Sequence, residues 1–190
     1  MGAIGEAGMS GIGAGSGPLL FRPAVAGDVS CVVDLVESAY RGDVSRTGWT
    51  TEADFLEGRR TGTDDIESIL ANPRSRILLA ERNGQLLACA NVAIEDGAGY
   101  FGMFSVKPGC QGAGLGKLVL AEAERIVARE WGCRKMRMTV IDIRDELFSF
   151  YERRGYHRTG IKKPFPYGDE RFGIPLREDL RFEILEKILT

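Results

Sequence analysis

The sequence has little of what metal sites and disulfide frameworks require. Its 190 residues include one histidine, His157, and four cysteines, at positions 31, 89, 110 and 133, which form no C-x-x-C pair. Widely spaced cysteines argue against a disulfide framework and a zinc site, and a lone histidine excludes most metal sites. We therefore expect no metal, and we interpret the cysteines as reduced thiols of a cytoplasmic protein.

A surplus of one charge and long apolar runs are also lacking. The 25 basic residues nearly balance the 27 acidic residues, so no broad basic field favours non-specific nucleic-acid binding. Residues 1–17 alternate glycine with small residues, without the basic start of a signal peptide or the apolar length of a membrane span. We expect a flexible glycine-rich tail there and a single domain over residues 18–190, with neither a nucleic-acid nor a membrane partner.

The rest of the chain divides into short segments of clear periodicity. Apolar alternation and a hairpin signal at Asn83-Gly84 predict strands over residues 19–23, 75–82, 85–95, 100–106, 135–141 and 156–163. Helical spacing and capping residues predict helices over residues 28–41, 51–56, 64–71, 115–131 and 145–154. Residues 180–189 fit a strand or a helix, and periodicity alone does not decide between them.

A glycine-rich turn at residues 111–117 follows an apolar strand and leads directly into the strongest helical stripe. Such a turn leaves backbone N–H groups unpaired at the positive end of a helix, which favours a phosphate ligand. A nucleoside-triphosphate loop would need glycine at position 111 and Ser or Thr at 118, where Gln111 and Leu118 stand. A dinucleotide loop would need glycine in place of Lys117, after the first strand of a parallel sheet.

Two motifs give this turn a more specific interpretation. The run Q-G-A-G-L-G at residues 111–116 is similar to the Q/R-x-x-G-x-G/A acetyl-CoA signature of the GNAT superfamily of N-acyltransferases. The run F-Y-E-R-R-G-Y at residues 150–156 resembles the second hallmark of that superfamily, F-Y-x-x-x-G-F. The resemblance extends from about Leu19 to the C-terminus.

The resemblance implies an α/β fold of the α+β type. Its central sheet would be mixed and mostly antiparallel, with about seven strands, a splayed parallel pair in the middle and helices on both faces. The segment at residues 180–189 would then be a strand. Acetyl-CoA would be the co-substrate, with its pantetheine in the gap between residues 100–106 and 135–141.

The same resemblance assigns roles to residues on the donor side of the reaction. The implied cofactor-binding residues are Phe104, Ser105, Val106, Gln111, Gly112, Ala113, Gly114, Leu115, Gly116 and Lys117. A backbone N–H near Phe104 or Ser105 would stabilise the oxyanion. Tyr151 occupies the position of the general acid, since a phenol of pKa about 10 can protonate a thiolate of pKa about 8.5, more readily if the site lowers the phenol pKa.

The identity of the general base is open, because many relatives carry an acidic residue on the strand equivalent to residues 100–106 and this strand has none. The leading candidates are Glu95 and Asp142. Asp96, Glu52 and Asp54 are alternatives, each acting directly or through water.

The acceptor pocket is expected between the early helices and the loop at residues 164–175. Its candidate substrate-binding residues are Trp49, Glu52, Phe165 and Tyr167, whose aromatic rings suit an apolar or cationic acceptor. Arg59, Arg60 and Arg144 would instead suit an acceptor that carries a carboxylate, so the sequence leaves the substrate class open.

The resulting hypothesis is an N-acetyltransferase that moves an acetyl group from acetyl-CoA to a primary amine of a small molecule or peptide, by direct attack in a ternary complex. The alternative is a CoA-binding module without turnover, which the missing acidic residue motivates. A homodimer is compatible with the resemblance, because dimers are common among relatives.

Overall fold

The computed structural model describes residues 17–48 and 50–190. The predicted tail, apart from Gly17, and Trp49 lie outside the described residues. The strands are β1 (Leu20–Pro23), β2 (Leu56–Glu57), β3 (Ser75–Arg82), β4 (Gln85–Glu95), β5 (Ala98–Val106), β6 (Lys135–Ile141), β7 (His157–Pro164), β8 (Ile174–Pro175) and β9 (Arg181–Ile188). The helices are α1 (Val29–Tyr40), α2 (Gly42–Ser45), α3 (Thr63–Ala71), α4 (Leu115–Arg125) and α5 (Asp145–Glu152). Within the described ranges, every helix is too short or too polar to cross a membrane.

Seven strands form one mixed sheet in the order β1-β3-β4-β5-β6-β9-β7. All neighbouring strands are antiparallel except β5 and β6. Parallel neighbours require a crossover connection, which α4 provides. The predicted α/β fold with a parallel pair in the middle is confirmed, and the ambiguous final segment is strand β9.

Helices cover both faces of this sheet, because successive side chains of a strand point to opposite faces. On β3, Ile77 and Leu79 pack with Cys89 against α1 and α3. Leu78 and Ala80 alternate with them and join the opposite core, which α4 and α5 cover. The strand alternation in the sequence thus determines which helix pair each residue meets.

The parallel pair at the centre of the sheet is joined only at its beginning. Gly99 pairs with Met136 and Tyr100 with Arg137, and no further pairs between β5 and β6 follow within the described chain. β5 stays paired with β4 as far as Val106, while β6 stays paired with β9 along its whole length. The two strands therefore diverge, and the backbone groups that face the gap need another partner.

The helix predicted over residues 51–56 is wrong. Residues 53–55 form a turn that leads into β2, where Leu56 pairs with Pro175 of β8. The amide of Glu52 donates to the carbonyl of Tyr40 at 3.0 Å and fixes the start of the segment on α1. Helix propensity is a weak preference that such tertiary contacts override, and local periodicity does not detect a partner strand so far along the chain.

Candidate active site

The glycine loop connects the open end of the β5–β6 gap to α4. Gly112 and Gly114 adopt φ angles of +87° and +79°, which favour glycine. Gly114 is the N-cap of α4 and has no side chain to cap the first-turn N–H groups. A β-carbon on Gly116 would lie 3.1 Å from Cζ of Phe104, so this glycine also allows α4 to approach β5 closely.

A cleft of about 350 Å³ lies against this loop. The predicted cofactor residues that line it are Val106, Gln111, Gly112, Gly114, Gly116 and Lys117. Arg153 and Arg154, at the end of α5, complete the wall together with Glu146. Three basic side chains beside a helix N-terminus form a strongly favourable environment for a pyrophosphate.

The remaining residues of the predicted donor site differ in their surroundings. Ala113 is exposed, whereas Leu115 is buried in the core beneath α4. Ser105 is fully buried, and its hydroxyl donates to the carbonyl of Met103 at 3.3 Å. The Gln111 amide donates to the Val106 carbonyl and to the Thr50 hydroxyl, both at 3.1 Å, and so ties the loop to the end of β5.

β5 bulges at the point where it diverges from β6. Cys89 of β4 pairs with Ser105 and Asn91 pairs with Gly102, so one residue of β4 lies opposite two residues of β5. Met103, one of the two, has a φ of +47°, which is uncommon for a residue other than glycine. The Tyr40 hydroxyl donates to the Phe104 carbonyl at 2.6 Å and holds the bulge against α1.

A second cavity, of about 130 Å³, lies between the diverging strands. Phe104 lines it from β5, Thr139 from β6 and Tyr151 from α5. Tyr151 is 5% exposed, and burial raises its pKa well above the usual range. This shift is opposite to the lowering considered from the sequence, and it keeps the phenol protonated at neutral pH.

Glu52 lies in the same cavity as Tyr151, although it comes from a distant part of the chain. It is buried, and its Oε2 accepts a hydrogen bond from Nη1 of Arg41 at 2.6 Å. Nε of Arg60 lies 3.9 Å from the same oxygen. Among the described residues, Glu52 is the one carboxylate that lines this cavity.

The two leading candidates for the general base occupy other places. Glu95 is exposed in the β4–β5 turn, opposite Ala98. Phe104 lies six positions after Ala98, which corresponds to about 20 Å of strand, far beyond hydrogen-bond reach. Asp142 accepts hydrogen bonds from Nζ of Lys162 at 2.9 Å and from Nε of Arg181 at 3.2 Å.

The environment of Asp142 is unfavourable for a base. Burial raises the pKa of its carboxyl, but the contacts with Lys162 and Arg181 outweigh burial and leave the pKa below its usual value. A carboxylate with a lowered pKa accepts a proton less readily. The alternatives Asp54 and Asp96 are both exposed.

Two aromatic residues predicted for the acceptor pocket, Phe165 and Tyr167, do not line this cavity. Phe165 is buried and stacks on Phe182, with ring centroids 5.4 Å apart. The Tyr167 hydroxyl accepts a hydrogen bond from the Leu180 amide at 2.7 Å, and its ring packs against Phe165. Phe172 and Phe182 line the cavity instead. The prediction for Trp49 falls outside the described residues.

Sequence reasoning missed several residues of the two cavities. Tyr40 had a signal only as the last member of an apolar helical stripe, which did not reveal its hydroxyl contact with β5. Arg153 and Arg154 follow Tyr151 by two and three positions, and a basic pair one turn after a hallmark tyrosine was a usable signal. Phe182 had no usable signal in the sequence, because it lies in the segment of ambiguous periodicity.

The comparison with protein families agrees with this geometry. Residues 39–156 match the model of the acetyltransferase (GNAT) family. This range includes the glycine loop, both diverging strands and Tyr151, and covers more than half of the chain. The chain therefore belongs to the acetyltransferase (GNAT) family and is an acetyltransferase.

Solved structures with the same fold include enzymes with different acceptors in their names. A ribosomal-protein-alanine N-acetyltransferase from Brucella melitensis aligns with a TM-score of 0.64 at 20% identity, over 90% of this chain and 99% of its own. A putative phosphinothricin N-acetyltransferase aligns with a TM-score of 0.65 at 20% identity, over 91% of this chain and 99% of its own. A variant of a spermidine N-acetyltransferase from Vibrio cholerae aligns with a TM-score of 0.66 at 13% identity, over 90% of this chain and 94% of its own. A search of curated protein sequences found no significant match.

Proposed function

We propose that this protein transfers the acetyl group of acetyl-CoA to a primary amine by direct attack in a ternary complex. The observation that carries the proposal is the position of two cavities along β5, with Val106 lining the first and Phe101 to Phe104 lining the second. The glycine loop and its basic residues line one cavity, and Tyr151 and Glu52 line the other, beside the diverging strands. A donor and an acceptor can thus approach the same stretch of β5 from different sides.

The donor half of the site follows from charge and backbone geometry. The pyrophosphate of acetyl-CoA would accept hydrogen bonds from the first-turn N–H groups of α4 and ion-pair with Lys117, Arg153 and Arg154. The pantetheine amides would pair with those backbone groups of β5 near Phe104, Ser105 and Val106 that face the gap left by the divergence from β6. The thioester would then lie near Tyr151.

The transfer itself requires the protein to stabilise an oxyanion, to protonate the thiolate and to deprotonate the ammonium. A backbone N–H at the β5 bulge would stabilise the negative charge that develops on the carbonyl oxygen. As the amine nitrogen bonds to the carbonyl carbon and the C–S bond breaks, Tyr151 would protonate the departing thiolate. Glu52 would accept the proton of the ammonium directly or through water, since it shares the cavity with Tyr151.

The rival interpretation, a CoA-binding module without turnover, rested on the absence of an acidic residue from β5. The cavity lining weakens this argument, because it includes a carboxylate, Glu52, that comes from another part of the chain. The cytoplasm is the proposed compartment, supported by the free state of all four cysteines. The homodimer stays a prediction from the resemblance.

Amine-dependent release of the CoA thiol tests the proposal. Purified protein is incubated with acetyl-CoA and a panel of amino acids, polyamines, aromatic amines and peptides, and free thiol is measured with a chromogenic reagent. We expect release that requires both the protein and an amine. No release across the panel, in a protein that still binds acetyl-CoA, would favour the binding module. Because Cys31 is exposed, Cys31→Ser is the background control.

A further inference from the structure

The cavity beside Tyr151 has an unusual set of charges for a site that must admit an amine. Two guanidinium groups, those of Arg60 and Arg144, line it together with the carboxylate of Glu52. Glu52 already accepts a short hydrogen bond from Arg41, which lies buried behind it. The cavity therefore presents two guanidinium groups to a ligand, together with one carboxylate that is held in place by Arg41.

Arg60 is the guanidinium with most capacity for a ligand. Its contacts are the loose approach to Glu52 at 3.9 Å and a position over the Tyr40 ring, with 5.3 Å between Cζ and the ring centroid. Its side chain is 29% exposed and lines the cavity. The Glu37 carboxylate accepts hydrogen bonds from the backbone amides of Arg60 and Thr61, which fixes the segment that carries the side chain.

Arg144 supplies a second positive charge from the loop before α5. It is 3% exposed, and its Nε donates to Glu146, a half-exposed residue of the donor cleft. Arg144 lines the cavity together with Tyr40 and Tyr151, so its charge lies in the same cavity as the proposed acid. Arg144 and Arg60 thus approach the cavity from different elements.

We propose that the acceptor is a small zwitterion, an α-amino acid whose carboxylate binds Arg60 and Arg144 while its amino group faces Glu52 and the β5 bulge. This assignment rests on the proposed function. Opposite charges on adjacent carbon atoms of the ligand would match the 3.9 Å separation between Arg60 and Glu52. A planar guanidinium is well suited to bind a carboxylate through two hydrogen bonds.

The size and walls of the cavity favour a small apolar member of this class. A volume of about 130 Å³ is well below the ~300–1,000 Å³ typical of pockets for drug-sized ligands. Phe172 and Phe182 form part of the wall, and Phe165 supports them from behind. An amino acid with a short apolar or aromatic side chain would place that side chain against these rings.

Matched pairs of acceptors test the assignment. Each pair consists of an α-amino acid and its α-amide, such as leucine and leucinamide, or phenylalanine and phenylalaninamide. We expect kcat/KM to be at least about tenfold higher for the acid, because a site built to bind a charged group discriminates strongly against a ligand that lacks it. Equal or better acetylation of the amides would overturn the proposal.

A pair of arginine variants links the preference to one side chain. Arg60→Gln should lower kcat/KM for the amino acid at least about tenfold, mainly by raising KM, and should lower kcat/KM for the amide clearly less, since the amide lacks the charge that Arg60 would bind. Arg59→Gln is the matched control, since Arg59 is exposed and lines a separate surface pocket with Asp64 and Asp65. An equal loss for acid and amide in Arg60→Gln would contradict carboxylate recognition.

Failure of this inference is distinct from failure of the proposed function. Thiol release only with amines that lack a carboxylate would support the function and overturn the acceptor class. No release with any amine would overturn the function, and the acceptor assignment with it. Unchanged acetyl-CoA affinity and far-UV circular dichroism in Arg60→Gln would show that the variant retains its fold and its donor site.

Discussion

At the scale of single residues, the proposed role of Tyr151 requires it to release a proton that its surroundings hold firmly. Burial raises the pKa of its phenol, so the hydroxyl remains protonated through the neutral range. The same desolvation acts on a thiolate bound nearby and raises the pKa of its conjugate acid too. The proton transfer therefore depends on how closely the two groups approach, as well as on the intrinsic acidity of the phenol.

We predict that Tyr151→Phe lowers kcat about tenfold to a hundredfold and leaves the affinity for acetyl-CoA unchanged, since only the acid is removed. The measurements are steady-state kinetics and calorimetric binding. Tyr156→Phe is the control, because Tyr156 is equally buried, packs against Tyr151 at 5.8 Å and lines neither cavity. Unchanged turnover in Tyr151→Phe would assign the residue to core packing.

At the scale of elements, the function depends on how α4 begins. Gly112, Gly114 and Gly116 have no side chains, so the N-terminus of α4 stays open and lies close to β5. A side chain at Gly114 would face Lys117, whose Cε would lie 3.2 Å from the new β-carbon. The helix dipole and Lys117 would then act on that side chain instead of a phosphate.

Gly114→Asp should therefore abolish measurable binding of acetyl-CoA, because it places a carboxylate against the pyrophosphate and occupies Lys117. Gly97→Asp is the matched control. Gly97 has a similar φ of +75° and lies in the turn at the opposite end of β5, where a new β-carbon would meet no atom of the described residues within 4 Å. Isothermal titration of both variants with acetyl-CoA separates the effect of the new charge from that of backbone strain. Full affinity for acetyl-CoA in Gly114→Asp would refute the assignment of the loop as its binding site.

At the scale of the whole molecule, Asp142 links three strands that are distant in sequence. It follows β6 and contacts Lys162 of β7 and Arg181 of β9. Its side chain is 6% exposed, whereas those of its partners are 39% and 58% exposed, so solvent screens the interaction. We assign Asp142 a role in holding this edge of the sheet together.

Asp142→Asn should lower the melting temperature by about 2–4 °C at pH 7, which corresponds to ~1 kcal/mol in a chain of this size. The folded-state pKa of Asp142 is lowered, so its contribution is present above the unfolded value of about 3.9 and disappears as the pH falls through the folded value. The difference between the variant and the wild type should accordingly shrink below about pH 4 in calorimetric scans.

Asp179→Asn is the control for that experiment, because Asp179 pairs with Arg177 on the surface and is 64% exposed. It should leave the melting temperature unchanged. Turnover should also persist in Asp142→Asn. A large loss of turnover at unchanged stability would restore Asp142 as a candidate for the general base.

Much of the fold and of the donor site was predictable because the signals are local. The strands at β3 to β6 and helix α4 follow from periodicity, and the glycines of residues 112–116 follow from the motif. The acceptor side was less predictable. Glu52 was assigned to the pocket, but the helix predicted around it was wrong, and Phe165 lies behind Phe172 and Phe182.

The sequence by itself determined six strands of the main sheet and the open start of α4, because periodicity and turn residues are local signals, and two motifs gave the family resemblance. Only the tertiary structure decided which carboxylate and which arginines share the cavity with Tyr151. Glu52 and Arg60 lie eight residues apart, Arg144 lies far along the chain, and the three side chains line one cavity where β5 diverges from β6. That divergence depends on competing strand pairings far apart in sequence, which no local pattern records.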